Sequence, residues 1–235
     1  PDFTLRKAYL NRESYTPNIN SIYEDQDGNV WISLTNRGLH KYDKASDSFK
    51  KYPKIGERDN PFVVFQDDKK QFWVGTWGDG LYLFDPEQTE SKMFTPINIL
   101  NKEKKAKETA FFSIVQDDFS GYIWAISLSG LYALKRNEKN VVEEKNISYL
   151  FSNSNNIFSE IIKDKKGNLW IGTYSEGIIN INFDRPAIKS INLAPIKQLT
   201  GIKPNVTNIY KDKKGVIWFN QNRWGTCLYY PDGKI

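Results

Sequence analysis

Residues Asp164 to Ile181, DKKGNLWIGTYSEGIINI, decide the fold. Lys165-Lys166-Gly167-Asn168 reads as a tight turn, because Gly and Asn tolerate the positive φ that short hairpin connections need. Trp170-Ile171-Gly172-Thr173 is a short apolar strand. A polar loop then ends in Gly177, and an alternating strand follows. The same phrase recurs five times. Asp25 and Trp31, Asp67 and Trp73, Asp118 and Trp124, Asp164 and Trp170, and Asp212 and Trp218 are each six residues apart. The intervals between these tryptophans are 42, 51, 46 and 48 residues. A repeat of that length, with several short strands per unit, is the signature of propeller blades.

Working outward, the expected blades lie at 19–52, 62–94, 111–145, 157–191 and 205–235, with 3–9 as an orphan strand before them. The spacing predicts strands at 19–23, 30–34, 39–42 and 48–52 in the first blade. In the second it predicts 63–65, 72–76, 80–84 and 91–94. Lys70 stands where the first, fourth and fifth copies have Gly, so a different turn is expected there. Trp124 to Gly130 is six steps where the other copies take seven, which makes the second loop of blade three one residue short. The fifth copy stops at Pro231-Asp232-Gly233, in the turn before a fourth strand. Two readings of the whole remain open. Either the orphan strand pairs beside blade five and closes a ring of five, which would remove exposed sheet edges, or the chain is an arc of a larger propeller.

Composition agrees with an all-β fold. The chain has 235 residues, 39% hydrophobic and 14% aromatic, enough to bury a core of aromatic and β-branched strands. A net charge of +5 is spread as Lys among Asp and Glu. It describes a solvated surface, and leaves an anionic ligand open without the concentrated basic stripe of a nucleic-acid binder. The single cysteine, Cys227, permits no intrachain disulfide and reads as a buried strand thiol. The single histidine, His40, offers no metal cluster. No apolar run approaches the roughly 18 residues of a membrane span. A chain that opens on Pro1 without Met reads as a processed or excised piece.

The recurring residues have structural roles. The five tryptophans share one phase and are expected to pack between neighbouring blades. Each repeated Asp sits where a strand enters its turn, where its carboxylate can accept from backbone N–H groups. These carboxylates are therefore turn chemistry and not a catalytic pair.

The repeat resembles that of the two-component regulator propeller family. The resemblance is carried by SIYEDQDGNVWISLTNRGLHKYD from Ser21, VVFQDDKKQFWVGTWGDGLYLFD from Val63 and EIIKDKKGNLWIGTYSEGIININ from Glu160, and more weakly by the copies starting at Ser113 and Asn208. It implies a seven-bladed propeller in the periplasmic sensor region of a Bacteroidetes hybrid two-component histidine kinase, many of which detect glycans. The arc reading is then favoured. The implied partners are an oligosaccharide or polysaccharide, the remaining blades, and downstream signalling domains in a dimeric parent. No cofactor, metal or nucleic acid is implied. No kinase motif lies in this chain, so the segment would be a non-catalytic input module.

Candidate ligand-binding residues come from the loops between second and third strands: Arg37, Trp77, Asp79, Tyr174, Glu176, Arg223 and Trp224. Rings that stack on sugar faces beside charged hydrogen-bonding groups are what an oligosaccharide site needs. Arg12, Tyr15 and Arg58 in the connections between blades have weaker claims. A self-contained five-bladed lectin and a protein-interaction or dimerisation scaffold are the alternatives. A glycosidase would need two facing carboxylates, and no nucleophile, base or metal cluster stands out in the sequence.

Overall fold

Each of the five Asp–Trp repeats folds as one antiparallel meander, and the meanders are the blades of a β-propeller. The structure is a computed structural model describing residues 18–99, 108–137, 142–147, 157–174, 177–183, 187–191, 193, 205–221 and 225–234. The orphan strand expected at 3–9, and Arg12 and Tyr15, lie outside the described residues. Blade one is β1 (Ile19–Glu24), β2 (Val30–Leu34), β3 (Gly38–Asp43) and β4 (Ser48–Lys51). Blade two is β5 (Pro61–Gln66), β6 (Phe72–Thr76), β7 (Leu81–Phe84) and β8 (Phe94–Ile97). Its outer strand starts three residues later than expected, because Glu90–Lys92 form a 3-10 turn instead of extended chain.

Blade three is β9 (Phe111–Gln116), β10 (Ile123–Ser127), β11 (Gly130–Arg136) and β12 (Val142–Asn146). Blade four is β13 (Phe158–Lys163), β14 (Leu169–Thr173), β15 (Ile178–Asn182) and β16 (Ala187–Ile191). Blade five has three described strands, β17 (Val206–Lys211), β18 (Ile217–Gln221) and β19 (Gly225–Tyr229). The first strands pack successively, β1 on β5, β5 on β9, β9 on β13 and β13 on β17. No comparable packing joins β17 to β1 among the described residues.

The repeated Asp does more than cap a turn. The Asp25 carboxylate accepts from the Asp27 and Asn29 backbone N–H groups at 3.0 and 2.8 Å, and from the Trp31 indole N–H at 2.8 Å. Asp67 and Trp73, Asp164 and Trp170, and Asp212 and Trp218 repeat the indole bond at 2.9, 3.0 and 2.9 Å. The turn thus fixes the rotamer of the ring that fills the next interface. In blade three the partner of Trp124 is not Asp118 but Asp117, seven residues away, at 2.7 Å. The turn there closes from the Asp117 N–H to the Tyr122 carbonyl, one residue wider than the others. Asp118 instead points outward and pairs with Lys163 of blade four at 2.5 Å. The turn at Lys70 departs from expectation in the opposite sense. Lys70 takes the left-handed φ of 62° and keeps the hydrogen bonds of the glycine-containing turns, a conformation that costs a non-glycine residue about 1 kcal/mol or more.

The tryptophans pack between blades, as their shared phase requires. Trp31 is 1% exposed and meets the rings of Phe72 and Phe84 of blade two at 5.1 and 5.4 Å. Its cluster includes Val64 of β5. Trp73 packs in one cluster with Ile114 of β9, Trp124 with Ile161 of β13, and Trp170 with Ile209 of β17. The receiving residue always lies three before the turn Asp. Gly75 and Gly172, two residues after their tryptophans, admit the next blade's inner strand. A Cβ on Gly75 would meet the Phe111 carbonyl oxygen at 2.7 Å, and one on Gly172 the Val206 side chain at 2.9 Å.

At the two ends this packing rule has no partner among the described residues. Ile22, which occupies the receiving position in blade one, is 69% exposed. Trp218, the donor of blade five, is 40% exposed although its indole still binds Asp212. His40 is half-buried in β3, and burial pushes its pKa down. Cys227 is half-buried rather than buried: it stands opposite Phe219 in β18 and packs at the margin of the cluster that blades four and five share.

Candidate functional site

The antiparallel meander sends the Asp turns to one face of the propeller. The second-to-third-strand loops and the connections between blades go to the other. At this second face every inner strand carries one extra residue. Pairing between β1 and β2 steps from Ile19↔Leu34 to Ser21↔Ser33, leaving Asn20 unmatched. The same step leaves out Phe62 in β5, Phe112 in β9, Ser159 in β13 and Thr207 in β17. A β-bulge of this kind re-aims the inserted side chain out of the pleat, and bulges favour sites of function. All five inserted residues line one cavity of about 330 Å³, at the lower end of the roughly 300–1,000 Å³ typical of ligand pockets.

The cavity has two unlike walls. Phe62 lies 5.8 Å from Trp77 and 6.3 Å from Phe112, and Trp77 lies 6.3 Å from Phe112, an aromatic cluster spanning blades two and three. Leu128, Ile157 and Tyr174 extend this wall and keep a large part of their surface accessible. The polar part of the lining is Asn20, Ser159, Glu160, Thr207 and Asn208. Asn20 is held by its amide donating to the Pro61 carbonyl at 2.8 Å and its oxygen accepting from Thr35 at 2.9 Å. Glu160 accepts from the Ile209 N–H at 2.8 Å and from the Asn208 side chain, tying blade four to blade five. Burial raises the Glu160 pKa above the ordinary carboxylate value, more than these two hydrogen bonds lower it. Ser159 is 9% exposed, and its hydroxyl has no hydrogen-bond partner. A buried polar group without a partner costs about 1–3 kcal/mol, and this oxygen is turned toward Gly172 rather than presented at the cavity surface.

Of the loop residues singled out from sequence, Trp77 and Tyr174 reach this cavity. Asp79 does not. Its carboxylate accepts from the Arg58 backbone N–H at 2.9 Å, so it anchors the connection between blades one and two. Arg58 itself is exposed on that connection. Arg37 is half-buried outside the cavity lining, in a loop whose Asn36 and Gly38 N–H groups bond Asn60 and Asp59. Glu176, Arg223 and Trp224 lie outside the described residues. Sequence reading missed the bulge residues altogether. Their signal was positional: each stands five residues before its turn Asp, once Asp117 is taken for blade three.

A groove of about 350 Å³ runs along the outer strands of blade one, past Lys41, Tyr42 and Lys50. It draws on one blade and on surface lysines, whereas all five blades converge on the central cavity. Among the described residues, no three His, Cys, Asp or Glu side chains gather as metal ligands. No helix among them is long and apolar enough to cross a membrane.

A family model described as the two component regulator propeller matches residues 16–36 and 152–175. Nothing among curated proteins matches the chain. Similar solved structures include the extracellular domain of the putative hybrid two component system BT4673 from B. thetaiotaomicron. It is 18% identical with a TM-score of 0.70 over 90% of this chain and 28% of its own. The corresponding domain of BT3049 from the same organism is 19% identical, with a TM-score of 0.72 over 96% of this chain and 29% of its own. The chain therefore spans less than a third of either ectodomain. A virginiamycin B lyase from Staphylococcus aureus shares the fold at 14% identity and a TM-score of 0.67, over 96% of this chain and 70% of its own.

Proposed function

We propose that this chain, which carries repeats of the two component regulator propeller family, is the ligand-reading part of a periplasmic sensor and recognises a glycan in its central cavity. The observation that carries the reading is the convergence of five bulged inner strands on one cavity with an aromatic wall and a polar wall. Sugar rings present C–H faces to aromatic side chains and hydroxyl edges to amides, hydroxyls and carboxylates. Residues 1–235 form one propeller segment of a longer, dimeric parent, whose other blades and signalling domains lie elsewhere in that chain. Exposed Ile22 and Trp218 support this, because each is half of an interface completed at four other places in the molecule. The role in this reading is non-catalytic, in line with the similarity to extracellular domains of two component systems.

Calorimetric titration of the whole ectodomain against a broad glycan panel tests the reading. At least one glycan is expected to bind, and Trp77→Ala to weaken it about tenfold or more by removing an accessible aromatic platform without lowering the unfolding midpoint. Absence of binding across the panel would overturn it. The protein-scaffold reading would then stand on the exposed apolar residues Ile22, Tyr210 and Trp218.

A further inference from the structure

Resting on the glycan-sensor reading, the geometry points to the chemical class of that glycan: we propose that the cavity selects an amine-bearing oligosaccharide, with a protonated amino group set against Glu160. Two observations converge. Glu160 is the only charged side chain among the described residues that line the cavity, and it is an acid. It is fixed in place by the Ile209 N–H at 2.8 Å and by Asn208, leaving lone pairs for a further donor.

A ligand ammonium meets both. It donates to the Glu160 carboxylate as a charge-assisted bond, stronger than a neutral one and made in a site shielded from solvent. The sugar ring carrying it then lies against Trp77 and Phe112, whose ring faces favour a nearby cation as well. An acidic glycan reverses the balance. Its carboxylate or sulfate would face Glu160 across a cavity whose described lining offers no cation, and two like charges at close range disfavour each other strongly. An N-acetylated sugar keeps the shape but replaces the charged donor with a neutral amide.

The test compares three probes on the full chain by calorimetry at mildly acidic pH: glucosamine oligomers with free amines, the same oligomers N-acetylated, and oligogalacturonides. The free-amine oligomers are expected to bind about tenfold more tightly than the acetylated ones, the ratio for one charge-assisted contact. Oligogalacturonides are expected to bind weakest. Glu160→Gln keeps the side-chain shape and an acceptor for Ile209. It should remove the preference for the amine while leaving affinity for the acetylated oligomer within about twofold, well under one hydrogen bond. Glu160→Asp, which keeps the charge on a shorter side chain, should retain a preference for the amine and serves if Glu160→Gln fails to fold. Equal or tighter binding of the acetylated or acidic probes overturns the amine proposal and leaves the sensor reading intact. Failure of all three probes while another panel glycan binds does the same. Failure of every glycan overturns both.

Discussion

Asp117 and Asp118 are adjacent carboxylates with opposite surroundings, and exchanging each for alanine tests whether the Asp–Trp bond holds the blades. Asp117 is buried. It accepts from the Phe119 and Ser120 N–H groups, from the Ser120 hydroxyl at 2.6 Å and from the Trp124 indole at 2.7 Å. Asp117→Ala removes four bonds to a charged acceptor and leaves the indole N–H of a buried ring unpaired. Bonds to charged groups contribute about 1.5–3 kcal/mol and an orphaned buried donor costs about 1–3 kcal/mol. Because the bonds share one carboxylate they do not add, and a total loss of about 3 kcal/mol is expected. Asp118 makes a surface pair with Lys163 at 2.5 Å, with side chains 66% and 31% exposed, worth about 0–1 kcal/mol. Urea unfolding followed by tryptophan fluorescence measures both. The pH dependence adds a second check. Burial raises the Asp117 pKa, but donors from Ser120, Trp124 and the turn outweigh it and hold the folded value below the unfolded 3.8. A depressed carboxyl stabilises the fold above its unfolded pKa and loses that contribution as pH falls through its folded pKa. The gap between wild type and Asp117→Ala should therefore be full at neutral pH and close in acid. A larger loss from Asp118→Ala than from Asp117→Ala, or a gap that persists at the lowest pH, would refute the assignment.

Two further outcomes follow from the packing. Trp73→Ala should cost about 3–5 kcal/mol as a buried aromatic truncation. Trp218→Ala in the same chain should cost about 1 kcal/mol, since its ring is half out in solvent; equal shifts in unfolding midpoint would mean that Trp218 is covered in solution. The Asp164 carboxyl is pushed up by burial but brought down to about 2 by Lys211, Trp170, Asn168 and the Lys166 N–H. Its contribution is complete above the unfolded 3.8 and is lost as pH falls toward 2. Lys211→Met removes the 2.5 Å ion pair, so acid unfolding followed by circular dichroism should begin at higher pH than in wild type. An unchanged acid midpoint would show that the pair contributes nothing.

The blades were legible because their causes are local. A turn Asp, a Gly or Asn at positive φ, an apolar strand and a second Gly each specify a few neighbouring residues, and repetition multiplies the signal. Where spacing misled, the cause was also physical. In blade three, Asp118 keeps the six-residue interval, but a turn one residue wider rotates Asp117 under the indole. At Lys70 the flanking strands impose the glycine conformation on a residue that resists it. Loop chemistry pointed to Trp77 and Tyr174. It also pointed to Asp79, which is occupied in bonding the chain to itself.

By itself, then, the sequence determined the strand order, the turns and the rings that fill the blade interfaces, since these depend on periodicity and on contacts a few residues apart. Only the tertiary structure decided which side chains line the central cavity. Asn20, Phe62, Phe112, Ser159 and Thr207 share no common residue type across the five blades and are separated by about one blade each along the chain. What unites them is a one-residue slip in each innermost strand, and its consequence appears only when the blades stand around a common cavity. The carboxylate of Glu160 became a candidate in the same way, because its burial, its bond to the next blade and its two-walled surroundings all arise from blades meeting rather than from any one of them.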